Sequence, residues 1–159
     1  MDDSFRYIRP EKEVEYHFCQ DHLKESRELA KKSIVLLKNN GVLPINKDKK
    51  KIAVIGPFSN SKDLLGPWQF SRYSQQTVSL LEGLKEKVVN DNLLIAEGCK
   101  VDGTIEGGLE EALRQAKQAD TIILALGESS DMSGEAASRM DIQLPQVQRR
   151  LASRIIITE

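Results

Sequence analysis

Three short apolar runs set the limits on what this chain can fold into. They are Ile52-Ala53-Val54-Ile55, Leu93-Leu94-Ile95-Ala96 and Thr121-Ile122-Ile123-Leu124-Ala125-Leu126. None alternates with polar residues, so each reads as a strand covered on both faces. Helical spacing fills the gaps: Val78, Leu81, Leu84 and Val88 in a helix over 77–89, then Leu109, Ala112, Leu113 and Ala116 in one over 109–119. Strand and helix in this alternation predict an α/β fold, a three-layer α/β/α arrangement with a mostly parallel sheet. Right-handed crossovers put every strand's carboxyl end on one edge. Ligands bind at that edge in open α/β sheets.

The flanking segments carry further expectations. Residues 1–20 are charged and aromatic without steady periodicity and read as an irregular arm. Asp21 is a candidate N-cap for a helix over 21–39. Leu23, Ser26, Ala30, Ser33, Ile34 and Leu37 give that helix a buried stripe, and Asn40-Gly41 ends it. Val42-Leu43-Pro44-Ile45 is extended, and Asn46-Lys47-Asp48-Lys49-Lys50-Lys51 is a solvated turn. A last helix spans 145–152, and Arg154-Ile155-Ile156-Ile157-Thr158-Glu159 reads as a strand-like run.

Bulk properties narrow the function classes. A chain of 159 residues can bury a real core as one domain. Its net charge of −1 supplies no field for nucleic acid or anionic lipid, and no apolar run reaches the roughly 18 residues of a membrane span. The acidic opening, Met1-Asp2-Asp3, does not look like a signal peptide. Cys19 and Cys99 stand apart and read as free thiols, and no spacing suggests a metal site.

Chemistry is concentrated after the third apolar run. Gly127-Glu128-Ser129-Ser130-Asp131-Met132-Ser133-Gly134-Glu135 puts several acids on a loop at the carboxyl edge of the sheet. One of these glutamates is a candidate catalytic acid, and no second catalytic carboxylate is evident elsewhere. Trp68, beside Gly66-Pro67 and Phe70, is either a stacking platform for a substrate or a core residue under a loop. Arg139 and Asp141 are a candidate ion pair bracing the acidic loop, or simple surface charges. His17 and His22 are read as non-functional.

Several motifs together resemble a known family. Ser33-Ile34-Val35-Leu36-Leu37-Lys38-Asn39-Asn40-Gly41-Val42-Leu43-Pro44-Ile45 resembles the entry to the second domain of glycoside hydrolase family 3. Lys51-Ile52-Ala53-Val54-Ile55-Gly56-Pro57 resembles its first strand and turn. Leu65-Gly66-Pro67-Trp68, Thr77-Val78-Ser79-Leu80-Leu81-Glu82-Gly83-Leu84 and Gly134-Glu135-Ala136-Ala137-Ser138-Arg139 follow in the family's order. The similarity covers residues 4 to 150.

The resemblance implies an incomplete (α/β)6 sandwich, the second domain of a retaining β-glycosidase of the β-glucosidase or β-xylosidase type. It implies a preceding (β/α)8 barrel with the aspartate nucleophile, residues 1–20 as the linker arm from that barrel, and residues 21–159 as a partial sandwich. It names Glu135, the glutamate before Ala-Ala-Ser-Arg, as general acid/base, with Glu128 as rival. It calls for a β-linked glycoside as substrate, no cofactor, no metal, no nucleic acid and no membrane. The early arrival of Ile155-Ile156-Ile157 departs from the family pattern, and a sheet cut there is expected to self-associate through its open edge. The fragment alone is expected to be inactive. Two other readings stand beside this one: a noncatalytic α/β interaction domain, and a nucleotide-binding Rossmann-like domain. Gly56-Pro57-Phe58-Ser59-Asn60 argues against the latter, since it lacks G-x-G-x-x-G and Pro57 removes an amide donor.

Overall fold

A computed structural model describes residues 7–46, 51–69 and 77–157. Most of the lysine-rich turn and Phe70 lie outside these residues. The chain forms two compact units, one up to Pro44 and one from Ile45 onward.

The first unit contains α1 (Glu11–Tyr16), where the sequence suggested an irregular arm, and α2 (Gln20–Ser33). Cys19, not Asp21, occupies the N-cap position of α2 and makes no side-chain cap. The helix stops six residues short of the expected 39. Ile34 already has extended backbone, and the β-branched pair Ile34-Val35 favours that geometry. No residue of α2 is buried, so the expected covered stripe is exposed. Asn39 organises the following turn: its Oδ1 accepts from the amides of Gly41 and Leu43, and its Nδ2 donates to the Leu43 carbonyl.

The second unit is built on β1 (Ile52–Ile55), with β2 (Leu93–Ala96) and β5 (Thr121–Leu124) paired on either side. Both pairings are parallel: Ile52 aligns with Leu93 and Thr121, and Ile55 with Ala96 and Leu124. The strand expectations therefore hold in place and direction. Side chains alternate across β1, giving each face its own core. Ala53 and Ile55 join Ala96, Ala112, Ala116, Leu151 and Ile155 on one face. Ile52 and Val54 join Val88, Leu84 and Ile123 on the other. Helices α4 (Gly108–Ala116) and α5 (Gln146–Ile156) cover the first face, and Leu84 of α3 (Leu80–Lys85) packs on the second. The three-layer α/β/α arrangement follows from that division.

Two features correct the sequence reading. A small antiparallel hairpin, β3 (Cys99–Lys100) with β4 (Gly103–Thr104), interrupts the path from β2 to α4. The strand-like run at 154–157 is instead the end of α5. Val147, Leu151 and Ile155 recur every four residues and point one stripe into the core, and that periodicity outweighs the local β-propensity of three isoleucines.

Helix α3 begins with a reciprocal cap. Ser79 Oγ accepts from the Glu82 amide at 3.1 Å, and Glu82 Oε2 accepts from the Ser79 amide at 2.7 Å. Lys62 Nζ donates to both Glu82 oxygens and to the Thr77 carbonyl, which ties the post-β1 loop to the helix start. The hydrogen bond from Lys62, then that from the Ser79 amide, hold the Glu82 carboxyl below its ordinary value of 4.5. A lowered folded-state value adds stability that is present above the ordinary value and lost as pH falls through the folded one. Urea midpoints should therefore separate wild type from Glu82→Gln at pH 7 and draw together as pH falls below 4.5. Equal separation throughout would sink this assignment.

Candidate active site

Parallel pairing brings the loops after β1 and β5 to the same edge of the sheet. The crossing of their bases is tight. Gly56 donates its amide to the Ala96 carbonyl at 3.1 Å, and Phe58 donates to the Ala125 carbonyl at 3.2 Å. A Cβ at Gly56 would stand 2.3 Å from the Ala125 oxygen, and its φ of +128° already requires glycine. The loop following β1 is thereby laid alongside the acidic loop that leaves β5.

Four contacts shape the acidic loop. At its root, Gln148 of α5 is fully buried, at 0 % exposure, and treats Gly127 as a strand neighbour would. Its Oε1 accepts from the Gly127 amide at 2.9 Å, and its Nε2 donates to the Gly127 carbonyl at 2.8 Å and the Val101 carbonyl at 2.7 Å. Next, Asp63 Oδ2 accepts from the Ser130 amide at 2.8 Å, joining the two loops directly. Third, Glu128 Oε1 and Arg139 Nη1 form an ion pair at 2.6 Å, with the side chains 33 % and 25 % exposed. Fourth, Pro67 lies against Gly134, so closely that a Cβ there would come within 2.9 Å of the proline ring.

Glu135 sits at the tip. Gly134 to Ala137 form a tight turn, closed by the Ala137 amide donating to the Gly134 carbonyl at 3.3 Å. Glu135 and Ala136 are its two central residues, with Ala136 in the left-handed region at φ +58°. The Glu135 side chain is exposed and forms no ion pair or side-chain hydrogen bond among the described residues. The two glutamates left open by sequence are thus in different situations: Glu128 is engaged in the body of the loop, and Glu135 is presented from it.

The other candidates are placed as follows. Trp68 is 60 % exposed, and it follows directly on the Pro67 that touches Gly134. Arg139 pairs with Glu128 and not with Asp141, whose Oδ1 accepts from the Gln143 amide. Arg139 Nη2 donates to the Gln143 carbonyl at 3.2 Å, and its Nη1 reaches Met132 Sδ at 3.8 Å. Between the two loops lies a cleft of about 360 Å³ lined by Phe58, Asp63, Pro67, Glu128 and Ser130, among others. His22 stacks on Tyr16, and His17 meets Phe18 edge-on, both within the first unit. Cys99 is buried and Cys19 partly so, and both are free. Burial, then the Glu97 charge, push the Cys99 thiol up. Sequence reasoning missed Asp63 and Gln148. Asp63 carries no local signal, whereas Gln148 is a polar residue in the buried phase of an amphipathic helix.

The sequence profile of the Glycosyl hydrolase family 3 C-terminal domain matches residues 34–158. The chain belongs to this family. Among its curated relatives, the periplasmic beta-glucosidase of Salmonella typhimurium is 35% identical over 160 residues, which covers 86% of this chain and 21% of the relative. A beta-xylosidase of Formosa agariphila is 37% identical over 145 residues, covering 85% of this chain and 20% of its own length. Among solved structures, a beta-glucosidase from Listeria innocua in complex with isofagomine superposes with a TM-score of 0.87 at 25% identity, over 98% of this chain and 21% of that one. The family 3 chain thus spans about a fifth of the length of the relatives it matches.

Proposed function

We propose that this chain is the second-domain portion of a retaining β-glycosidase acting on β-glucosides or related glycosides, with Glu135 as general acid/base. In this reading residues 1–20 are the linker from a barrel domain, residues 21–159 are a partial sandwich, and the nucleophilic aspartate belongs to the barrel. The observation that carries it is the presentation of Glu135: an exposed carboxylate at the tip of a turn, on a loop braced at its root and along its length. Names of the relatives, β-glucosidases and a β-xylosidase, support the reaction class.

The chemistry needs two carboxyl groups about 5–5.5 Å apart across the glycosidic bond. The nucleophile attacks the anomeric carbon while Glu135 gives its proton to the departing oxygen. The resulting carboxylate then takes a proton from the water that releases the sugar from the enzyme. Docking over a partner domain's pocket would surround Glu135 with protein and with the nucleophile's charge, both of which favour the protonated acid. Supplying the acid alone is not enough, since general acid–base catalysis contributes only about 10²- to 10⁴-fold. This chain by itself should therefore hydrolyse neither aryl β-glucosides nor aryl β-xylosides, whereas the full-length protein should hydrolyse at least one. Turnover by the isolated chain above the buffer rate would overturn the proposal.

Trp68 has a place in the same reading. Its exposed indole, next to the proline that supports Gly134, is available to stack on the leaving-group side of the substrate. Apolar surface covered in this way is worth about 25 cal/mol per Å². Trp68→Ala in the full-length enzyme should raise KM several-fold for disaccharides or aryl glycosides and change it little for a glycosyl fluoride. An equal rise for all three would remove the assignment.

A further inference from the structure

We infer that Glu128 and Arg139 act as one positioning unit for the acid/base, a clasp that closes the loop carrying Glu135. This rests on the assignment of Glu135 above. The pair joins the first turn of the loop to its return leg, so residues 129–138 form a closed ring with Glu135 near its far end. Arg139 also reaches Met132 inside the ring and the Gln143 carbonyl beyond it. One guanidinium thus touches the outgoing leg, the interior and the exit of the same loop. Without that closure, the loop would lean on the Asp63–Ser130 bond, the Pro67 contact with Gly134 and its own local turns.

Closure matters because proton transfer is steeply sensitive to position. A misplacement of about 1 Å can cost on the order of 10²-fold in rate. The Arg139 side chain is 25 % exposed and that of Glu128 33 %, so solvent screens the pair less than a fully exposed one. The ion pair engages Glu128 in the body of the loop, which keeps it from competing for the departing oxygen. A positioning pair has a signature that separates it from a merely structural one. Loss of the clasp should impair the step that needs the proton and spare the step that does not.

The test uses the full-length enzyme with Glu128→Gln, Arg139→Gln, the double variant and Glu135→Ala, on an alkyl glycoside and a dinitrophenyl glycoside. Each single clasp variant should lose about 10- to 100-fold in kcat/KM on the alkyl substrate and less than about threefold on the dinitrophenyl one. The double variant should be no worse than the weaker single, because both remove the same contact. Azide should accelerate neither, since Glu135 is still present. Equal losses on both substrates, or additive losses in the double variant, while Glu135→Ala keeps its leaving-group dependence, would overturn the clasp alone. Absence of that dependence in Glu135→Ala would overturn the acid/base assignment and the clasp with it. Thermal melts identify any variant that is simply unfolded, and Arg139→Lys, which keeps the charge, should then recover part of the alkyl-substrate rate if the clasp acts as inferred.

Discussion

Replacing Glu135 by alanine in the full-length enzyme should lower kcat/KM for glycosides with poor leaving groups by about 10²- to 10⁴-fold. Glycosides whose leaving group departs as a stable anion should be affected far less in the glycosylation step, because they need no proton. Deglycosylation slows for both, since water then lacks its base. Azide needs none, and should restore turnover by attacking the glycosyl-enzyme on the face that Glu135 vacates, giving a β-glycosyl azide. Glu128→Ala is the control. If that variant shows the azide rescue and the leaving-group dependence while Glu135→Ala does not, the acid/base is Glu128.

The largest effect on stability should come from Gln148. Its amide satisfies the Gly127 amide, the Gly127 carbonyl and the Val101 carbonyl from a fully buried position. Gln148→Leu keeps the side chain's bulk but strands those three groups. At about 1–3 kcal/mol for each unsatisfied buried group, tempered by the partial exposure of Gly127 and Val101, a loss of roughly 2–5 kcal/mol is expected. That corresponds to a melting temperature lower by roughly 4–20 °C. Gln148→Glu is the sharper probe: it can still accept from the Gly127 amide but, when ionised, has nothing to donate to the two carbonyls. Melts within 2–3 °C of wild type for both variants, roughly 1 kcal/mol or less, would show that the bonds contribute little.

How much of this was legible beforehand depended on the range of the interaction. The strands at 52–55, 93–96 and 121–124 could be read because continuous apolar runs report burial on both faces, which is a local property. The end of α5 was misread because three successive isoleucines carry a local β signal, whereas the stripe of Val147, Leu151 and Ile155 becomes meaningful only against the sheet. The position of α2's end was likewise set by the β-branched Ile34-Val35, not by the glycine further on. In the site, the loop and its two glutamates could be found from sequence. Their division of labour could not, because Arg139 chooses Glu128 over Asp141 through the curvature of the loop in space. The shared edge of the loops carrying Trp68 and Glu135 follows from the alternation of strands and helices, whereas their adjacency there rests on the strand order β2-β1-β5, which no spacing encodes.

Two tethers of the acidic loop's surroundings come from far along the chain. Asp63 reaches Ser130 across 67 positions, and Gln148 reaches Val101 across 47. Contacts of that separation cannot form until β1, β5 and α5 have found each other, because each must first overcome the entropy of closing a long loop. Those two tethers are therefore lost whenever these elements separate. A chain that has collapsed but not docked α5 would keep Glu135 yet leave its loop without the Gln148 anchor at the root.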